Sequence, residues 1–298
     1  MAIKMPEFSK AFAAESKGGG ATRDRARTTF LALEKFSRTA KWGQTTPQNL
    51  TSKQLNQYIK GRVAAGISAR VVQNESSHIR RALRGSGRDL GDIRDPKNNW
   101  SNSRCSVPEA SRIGEKAAAD LGKFDQAELP ADVRCALDLA LQFGLRRAES
   151  AKATNVEEWA RVLEKSAKAG LGADLHLSAD AGSKGGRPRY IHIQADRVAL
   201  AMKTVQVAIE LKRENGGRLI QADSLQEALK RVSNACARAD LTGDDSAHGL
   251  RRAWAASQLG GYLAQGLSEK TALSRLSVDL GHGEGRGRWV ENNYLKVK

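Results

Sequence analysis

Apolar residues recur at helical spacing along most of this chain and alternate with polar ones only between about residues 175 and 193. A period of 3.6 buries one stripe of a helix, whereas a period of 2 buries one face of a strand. The pattern predicts a mainly α protein with a small antiparallel β-sheet, and no internal repeat is visible.

Residues 1–22 carry few large apolar side chains and include Gly18, Gly19 and Gly20, which predicts a flexible arm. From Asp24 to about Lys41, the residues Phe30, Leu31, Leu33 and Phe36 fall near helical spacing among basic residues. Thr51 and Gln54 form a capping-box pattern ahead of the stripe Leu55, Tyr58, Ile59 and Val63, which ends near Gly66. Ser68 then caps a third helix that turns Val72, Ile79 and Leu83 inward and leaves Arg80, Arg81 and Arg84 on other faces, until Gly85 and Gly87 stop it. Residues 23–90 therefore read as an all-helical domain. Gly, Asp, Asn, Ser and Pro without periodicity mark 91–108 as a linker.

Residues 109–298 read as a second domain, and 298 residues suffice for two separate cores. It opens with helices at about 109–121 and 131–143, the latter burying Val133, Ala136, Leu137, Ala140 and Leu141 before closing at Gly144. Leu175 and Leu177, then Tyr190, Ile191 and Ile193, predict a β-hairpin around a basic, glycine-rich loop. Helical patterns return at about 196–213, 223–238, 248–264 and 268–280.

The chain has 49 Lys plus Arg against 33 Asp plus Glu, a formal charge of +16. Such a surface attracts polyanions, foremost nucleic acid, although charge alone does not separate DNA from RNA or an anionic membrane. Cys105, Cys135 and Cys236 are odd in number, far apart and without a C-x-x-C pair, so reduced thiols are expected rather than disulfides or a zinc site. The N-terminus lacks an apolar signal region, and no stretch of about 18 apolar residues occurs. These features predict a cytoplasmic, nucleoid-associated protein.

Four segments carry candidate chemistry, and each alone has an ordinary structural explanation. Gly144-Leu145-Arg146-Arg147-Ala148-Glu149 places a cation near a helix end. His248-Gly249-Leu250-Arg251-Arg252 puts His248 and Arg251 on one helix face, as a solvated basic face also would. Lys184, Arg187 and Arg189 lie in and beside a glycine-rich hairpin loop suited to phosphate contact, or simply to solvent. Leu280-Gly281-His282 is followed, after a glycine-rich stretch, by Tyr294, and a lone terminal tyrosine commonly serves packing.

In this order the segments resemble the tyrosine recombinase (phage integrase) family, with its G-L-R-x-x-E, lysine hairpin, H-x-L-R, L-G-H and following tyrosine. The resemblance spans Phe143 to Tyr294, and the N-terminal helical region is similar to that family's core-binding domain in pattern and basicity. Carried over by position, it implies Arg146, Lys184, His248, Arg251, His282 and Tyr294 as catalytic residues and Glu149 as an acidic support. Arg147 and Arg252 neighbour two of these, and the motif register favours Arg146 and Arg251. DNA contacts are expected from Arg80, Arg81, Arg84, Arg187 and Arg189.

The chemistry suits these residue types. Ionising a phenol at pH 7 costs about 4 kcal/mol, which a cationic pocket reduces. Two guanidiniums hold phosphate oxygens through paired hydrogen bonds better than ammonium groups do. A lysine on a hairpin can protonate a leaving 5′-oxygen, and histidine is the side chain whose ordinary titration lies near neutrality. The resemblance thus implies DNA cleavage and rejoining through a 3′-phosphotyrosine, integrating or excising a mobile element. It further implies a homotetramer on DNA, with accessory DNA-bending proteins as possible partners. No metal or nucleotide cofactor is implied, since neither H-E-x-x-H nor G-x-x-x-x-G-K-[ST] occurs. A type IB topoisomerase-like relaxing enzyme and a catalytically silent DNA-binding relative are the alternatives.

Overall fold

The computed structural model describes residues 4–15, 20–88, 119–182 and 188–295. The chain forms two compact units, Met1–Arg112 and Ile113–Lys298. Lys184, Arg187, Cys105, the expected linker and most of the helix expected at 109–121 lie outside the described residues.

The first unit contains α1 (Met5–Glu15), α2 (Gly20–Thr39), α3 (Ser52–Ala64) and α4 (Ala69–Gly85). The flexible arm expected over 1–22 is corrected by α1, whose Phe8, Ala11 and Phe12 are buried. Ala11 and Phe12 follow Phe8 by three and four residues, which puts them on one helix face with it. Phe8 and Phe12 pack on Phe30 with ring centroids 5.6 and 6.0 Å apart. The approach of α1 to α4 depends on Gly85, where a Cβ would stand 1.8 Å from the Ala11 carbonyl oxygen. Of the expected stripes, Phe30, Leu33, Leu55, Tyr58, Ile59, Val72, Ile79 and Leu83 are buried, while Leu31 and Val63 face solvent.

The capping box at α3 is present: Gln54 N–H donates to Thr51 Oγ1 at 3.2 Å, and Thr51 N–H donates to Gln54 Oε1 at 2.9 Å. Glu75 of α4 accepts from Tyr58 Oη at 2.9 Å and from Arg62 at 2.6 and 3.0 Å, joining α3 to α4.

The second unit contains α5 (Leu121–Gln126), α6 (Ala131–Phe143), α7 (Arg147–Lys152), α8 (Val156–Ala169), β1 (Ala173–Leu177) and β2 (Arg189–Ile193). It continues with α9 (Val198–Glu214), α10 (Leu225–Arg238), α11 (Ala247–Ala264), α12 (Glu269–Asp279) and α13 (Gly287–Val290), then a π-helical turn over Glu291–Leu295. The fold is thus mainly α with one small antiparallel sheet. The sequence reading assigns no helix or strand to 145–172, where α7 and α8 stand. Val156, Trp159 and Leu163 form the buried stripe of α8, and Trp159 Nε1 donates to the His176 carbonyl at 2.6 Å, tying α8 to β1.

The two strands pair antiparallel with Leu175 opposite Ile191 and Leu177 opposite Arg189. Ala173, Leu175, Leu177, Ile191 and Ile193 enter the core. Because 189, 191 and 193 share one face of a strand, Arg189 is carried inward with the two isoleucines. Among the described residues no helix is long and apolar enough to cross a membrane.

Candidate active site

The site is assembled where four chain segments converge in the second unit. Helix α6 ends at Gly144, whose left-handed φ of 59° turns the chain so that buried Leu145 and then Arg146 follow at once. A side chain at Gly144 would collide with the Trp254 ring, only 2.2 Å from a Cβ built there. Arg146 precedes α7, and Glu149, three residues on, accepts its backbone N–H at 2.7 Å and its Nη1 at 2.8 Å.

Helix α11 presents His248 and Arg251 one turn apart, as i and i+3 require. Arg251 is only 1% exposed. Its Nη1 donates to the Gly144 carbonyl, its Nη2 to the Leu280 carbonyl at 2.6 Å, and its Nε to Tyr294 Oη at 3.3 Å. Arg146 Nη2 donates to the same Leu280 oxygen at 3.1 Å, so both guanidiniums converge on the turn that ends α12. Gly281, with φ 68°, makes that turn and delivers His282.

His282 Nε2 lies 3.1 Å from Tyr294 Oη. The glycine-rich interval between them does not separate them, because it returns the chain through α13 into the π-helical turn that carries Tyr294. The His248 and Tyr294 rings are 5.6 Å apart. Arg146, Arg147, His248, Arg251 and Tyr294 line one cavity of about 450 Å³, which Ser233, Thr242 and Ser246 share with the apolar Val232, Cys236 and Leu241.

The electrostatics follow from burial and crowding of cations. Burial opposes ionisation of Glu149, but the Arg189 hydrogen bonds and the charges of Arg189 and Arg146 outweigh it and hold its carboxyl at about 2. Burial lowers Arg251 to about 10, which still leaves it charged at neutral pH. Burial, then the charges of Arg251, Arg146 and Arg189, depress His282 to about 4, so its imidazole is neutral at pH 7. Either ring nitrogen tautomer of His282 is compatible with this contact, so His282 or Tyr294 can be the donor.

The arginine doublets divide their labour. Arg147 Nη1 donates to Ser233 Oγ at 2.6 Å, and Arg252 Nη2 to Asp244 Oδ1 at 2.6 Å, so both are turned from the Leu280 carbonyl that Arg146 and Arg251 share. The expectation of a DNA contact at Arg189 is corrected. Its side chain is 5% exposed and its two Nη atoms bond the two Glu149 oxygens, each at 2.8 Å. Strand alternation from Ile191 and Ile193 already placed it on the inner face. In the first unit, Arg84 pairs with Glu15 at 2.9 Å, Arg80 Nε donates to the Ser76 carbonyl at 3.3 Å, and Arg81 is half-buried on α4.

Sequence reasoning missed the carbonyl oxygens of Gly144 and Leu280, since every residue has one and only the fold selects them. It also missed Trp289, whose ring centroid is 4.4 Å from that of His282.

The family model described as "Integrase" matches residues 106–257, and the one described as "Phage integrase, N-terminal" matches residues 11–90. The chain belongs to the phage integrase family of tyrosine recombinases, which carries out DNA recombination and integration. The first match contains Arg146, His248 and Arg251 and ends before His282 and Tyr294. No curated protein matches the sequence. Among solved structures, the chain is similar to the Tn1549 transposon integrase in complex with transposon right end DNA. That match has 11% identity, covers 100% of this chain and 96% of the other, and has a TM-score of 0.48. XerA recombinase is similar at 14% identity over 98% and 93% of the two chains, with a TM-score of 0.33. Neither likeness is close enough to carry a conclusion about this chain.

Proposed function

We propose that this protein is a site-specific DNA recombinase that cleaves and rejoins strands through a 3′-phosphotyrosine at Tyr294, inserting or excising a mobile element. One observation carries the reading: the Tyr294 hydroxyl lies 3.3 Å from Arg251 Nε and 3.1 Å from His282 Nε2, within the cavity that Arg146 and His248 also line.

In this reading a DNA phosphate enters the cavity and takes the arginine donors now given to Tyr294 and the Leu280 carbonyl. The phenol oxygen attacks phosphorus, and negative charge develops on the non-bridging oxygens beside Arg146 and Arg251. His282, neutral at pH 7, hydrogen-bonds the phenol or the phosphate, and His248 assists transfer of the phenol proton. The bond to the 5′-oxygen breaks, and that oxygen leaves as a hydroxyl with a proton from Lys184, a role that rests on family resemblance. Bond energy is retained in the phosphotyrosine, so a 5′-hydroxyl from another strand can reverse the step. The partner is duplex DNA, and family resemblance supports four copies acting on two duplexes with accessory DNA-bending proteins.

The test is to incubate the protein with nicked duplex DNA from its native genome, denature it, and map any peptide bearing nucleotide. An adduct at Tyr294 that is lost in Tyr294→Phe is the expected result. Tight DNA binding without any adduct would instead indicate a silent DNA-binding relative. Relaxation of supercoiled DNA irrespective of sequence would indicate a topoisomerase-like enzyme.

A further inference from the structure

Arg189 does not line the cavity, yet it bonds two groups that hold the cavity's arginines or stand next to those that do. Its Nη1 and Nη2 form the two-pronged pair with Glu149, and its Nε donates to the Asp279 carbonyl at 2.9 Å. Glu149 in turn holds both the backbone N–H and the Nη1 of Arg146. Asp279 immediately precedes Leu280, whose carbonyl receives Arg146 and Arg251, and Gly281, which leads to His282. The stem of Arg189 also lies against Gly281 so closely that a Cβ there would be 2.8 Å from Arg189 Cδ. From its other side the turn is anchored by Tyr262, whose hydroxyl donates to Asp279 Oδ2 at 2.6 Å.

A guanidinium is the only side chain that offers three coplanar donor directions to a carboxylate and a carbonyl at once. Burying it is costly unless it is paired and hydrogen-bonded, and here each of its three nitrogens has a partner. Its place at the start of β2, opposite Leu177, sets this fork at one end of the two-stranded sheet, five residues after Lys184 in the sequence.

We propose that Arg189 is a positioning residue for strand cleavage, locking Glu149 and the 279–281 turn together so that Arg146 and His282 are presented to the phosphate in one fixed geometry. This rests on the recombinase reading above. It differs from a role in DNA contact, because Arg189 spends its donors inside the protein.

Arg189→Lys keeps the charge and removes the fork. In the full-length protein, adduct formation on nicked duplex DNA should slow on the order of 100-fold, the scale of a misplaced reacting group, while affinity for the same DNA is unchanged. The midpoint of the His282 ring resonances, followed by NMR without DNA, should move up from about 4 as the turn loosens. A parallel loss of DNA affinity and rate with an unmoved His282 would make Arg189 a DNA contact and overturn the proposal, as would an unaltered rate. Should the wild-type protein form no adduct, the recombinase reading fails and takes the cleavage role with it, while an unmoved His282 titration would separately overturn the claim that Arg189 holds the 279–281 turn. Should Arg189→Lys not fold, the Glu149→Gln, Arg189→Gln double variant removes both buried charges. It is expected to fold and stay slow, and a full wild-type rate would overturn the proposal.

Discussion

Arg251 illustrates how burial and chemistry are coupled at a single residue. Its donors face Gly144, Leu280 and Tyr294, and its guanidinium carbon lies 5.6 Å from the Tyr294 ring centroid. Arg251→Lys retains a charge but cannot span these acceptors, so adduct formation should fall on the order of 100-fold or more, measured by single-turnover cleavage. Two groups of the site make stability fall with acid, while Asp138 and Asp279, which burial raises to about 6, act in the opposite direction between pH 6 and 3.8. Glu149 is held at about 2 against an ordinary 4.5, so between these values the unfolded chain binds more protons than the folded one. Its contribution, about 3 kcal/mol from the shift, is present above pH 4.5 and is lost as pH falls through 2. His282, depressed to about 4 from 6.5, acts in the same direction: stability falls as pH drops from 6.5 to 4. In urea unfolding between pH 5 and 2, the loss of stability on acidification should therefore be smaller in Glu149→Gln than in the wild type, after allowing for that variant's lower baseline. Identical acid limbs in the two proteins would contradict the Glu149 assignment.

At the scale of elements, two close approaches decide how helices meet. Gly144 permits α6 to end against Trp254 of α11, and its positive φ disfavours any side chain. Gly144→Ala should lower the melting temperature and weaken cleavage together, because the same turn aims Arg146. Helix α1 is held by Phe8 and Phe12 in the core of the first unit. Phe12→Ala should destabilise that unit by about 3–5 kcal/mol, read as a shift in its urea midpoint, with the second unit's transition unmoved. Most elements were legible as periodic apolar stripes, including the capping box at Thr51 and the hairpin alternation. The helix α1 was not read, because only three buried residues carry it and the glycines that follow suggest a loose segment. The helix α8 was overlooked although Val156, Trp159 and Leu163 mark one face of it.

At the scale of the whole molecule, a formal charge of +16 on a chain whose family handles DNA makes binding strongly dependent on salt. Affinity for duplex DNA should fall by about 100-fold or more between 50 and 200 mM monovalent salt, as release of counterions from four or more phosphates requires. A slope near zero on a logarithmic salt titration would refute a phosphate-based interface. The sequence by itself determined the division into a helical first half and a mainly α second half with one hairpin, since hydrophobic period is a local property. It also determined the family, since the motifs lie in short runs whose order survives without any geometry. Only the tertiary structure decided that Arg146 and Arg251, 105 positions apart, share one carbonyl oxygen while Arg147 bonds Ser233 and Arg252 bonds Asp244. It likewise decided that the partner of Arg189, on the inner face of β2, is Glu149. Such assignments depend on which distant backbone carbonyls and carboxylates the packing brings within about 3 Å, and no local pattern of residues encodes that distance.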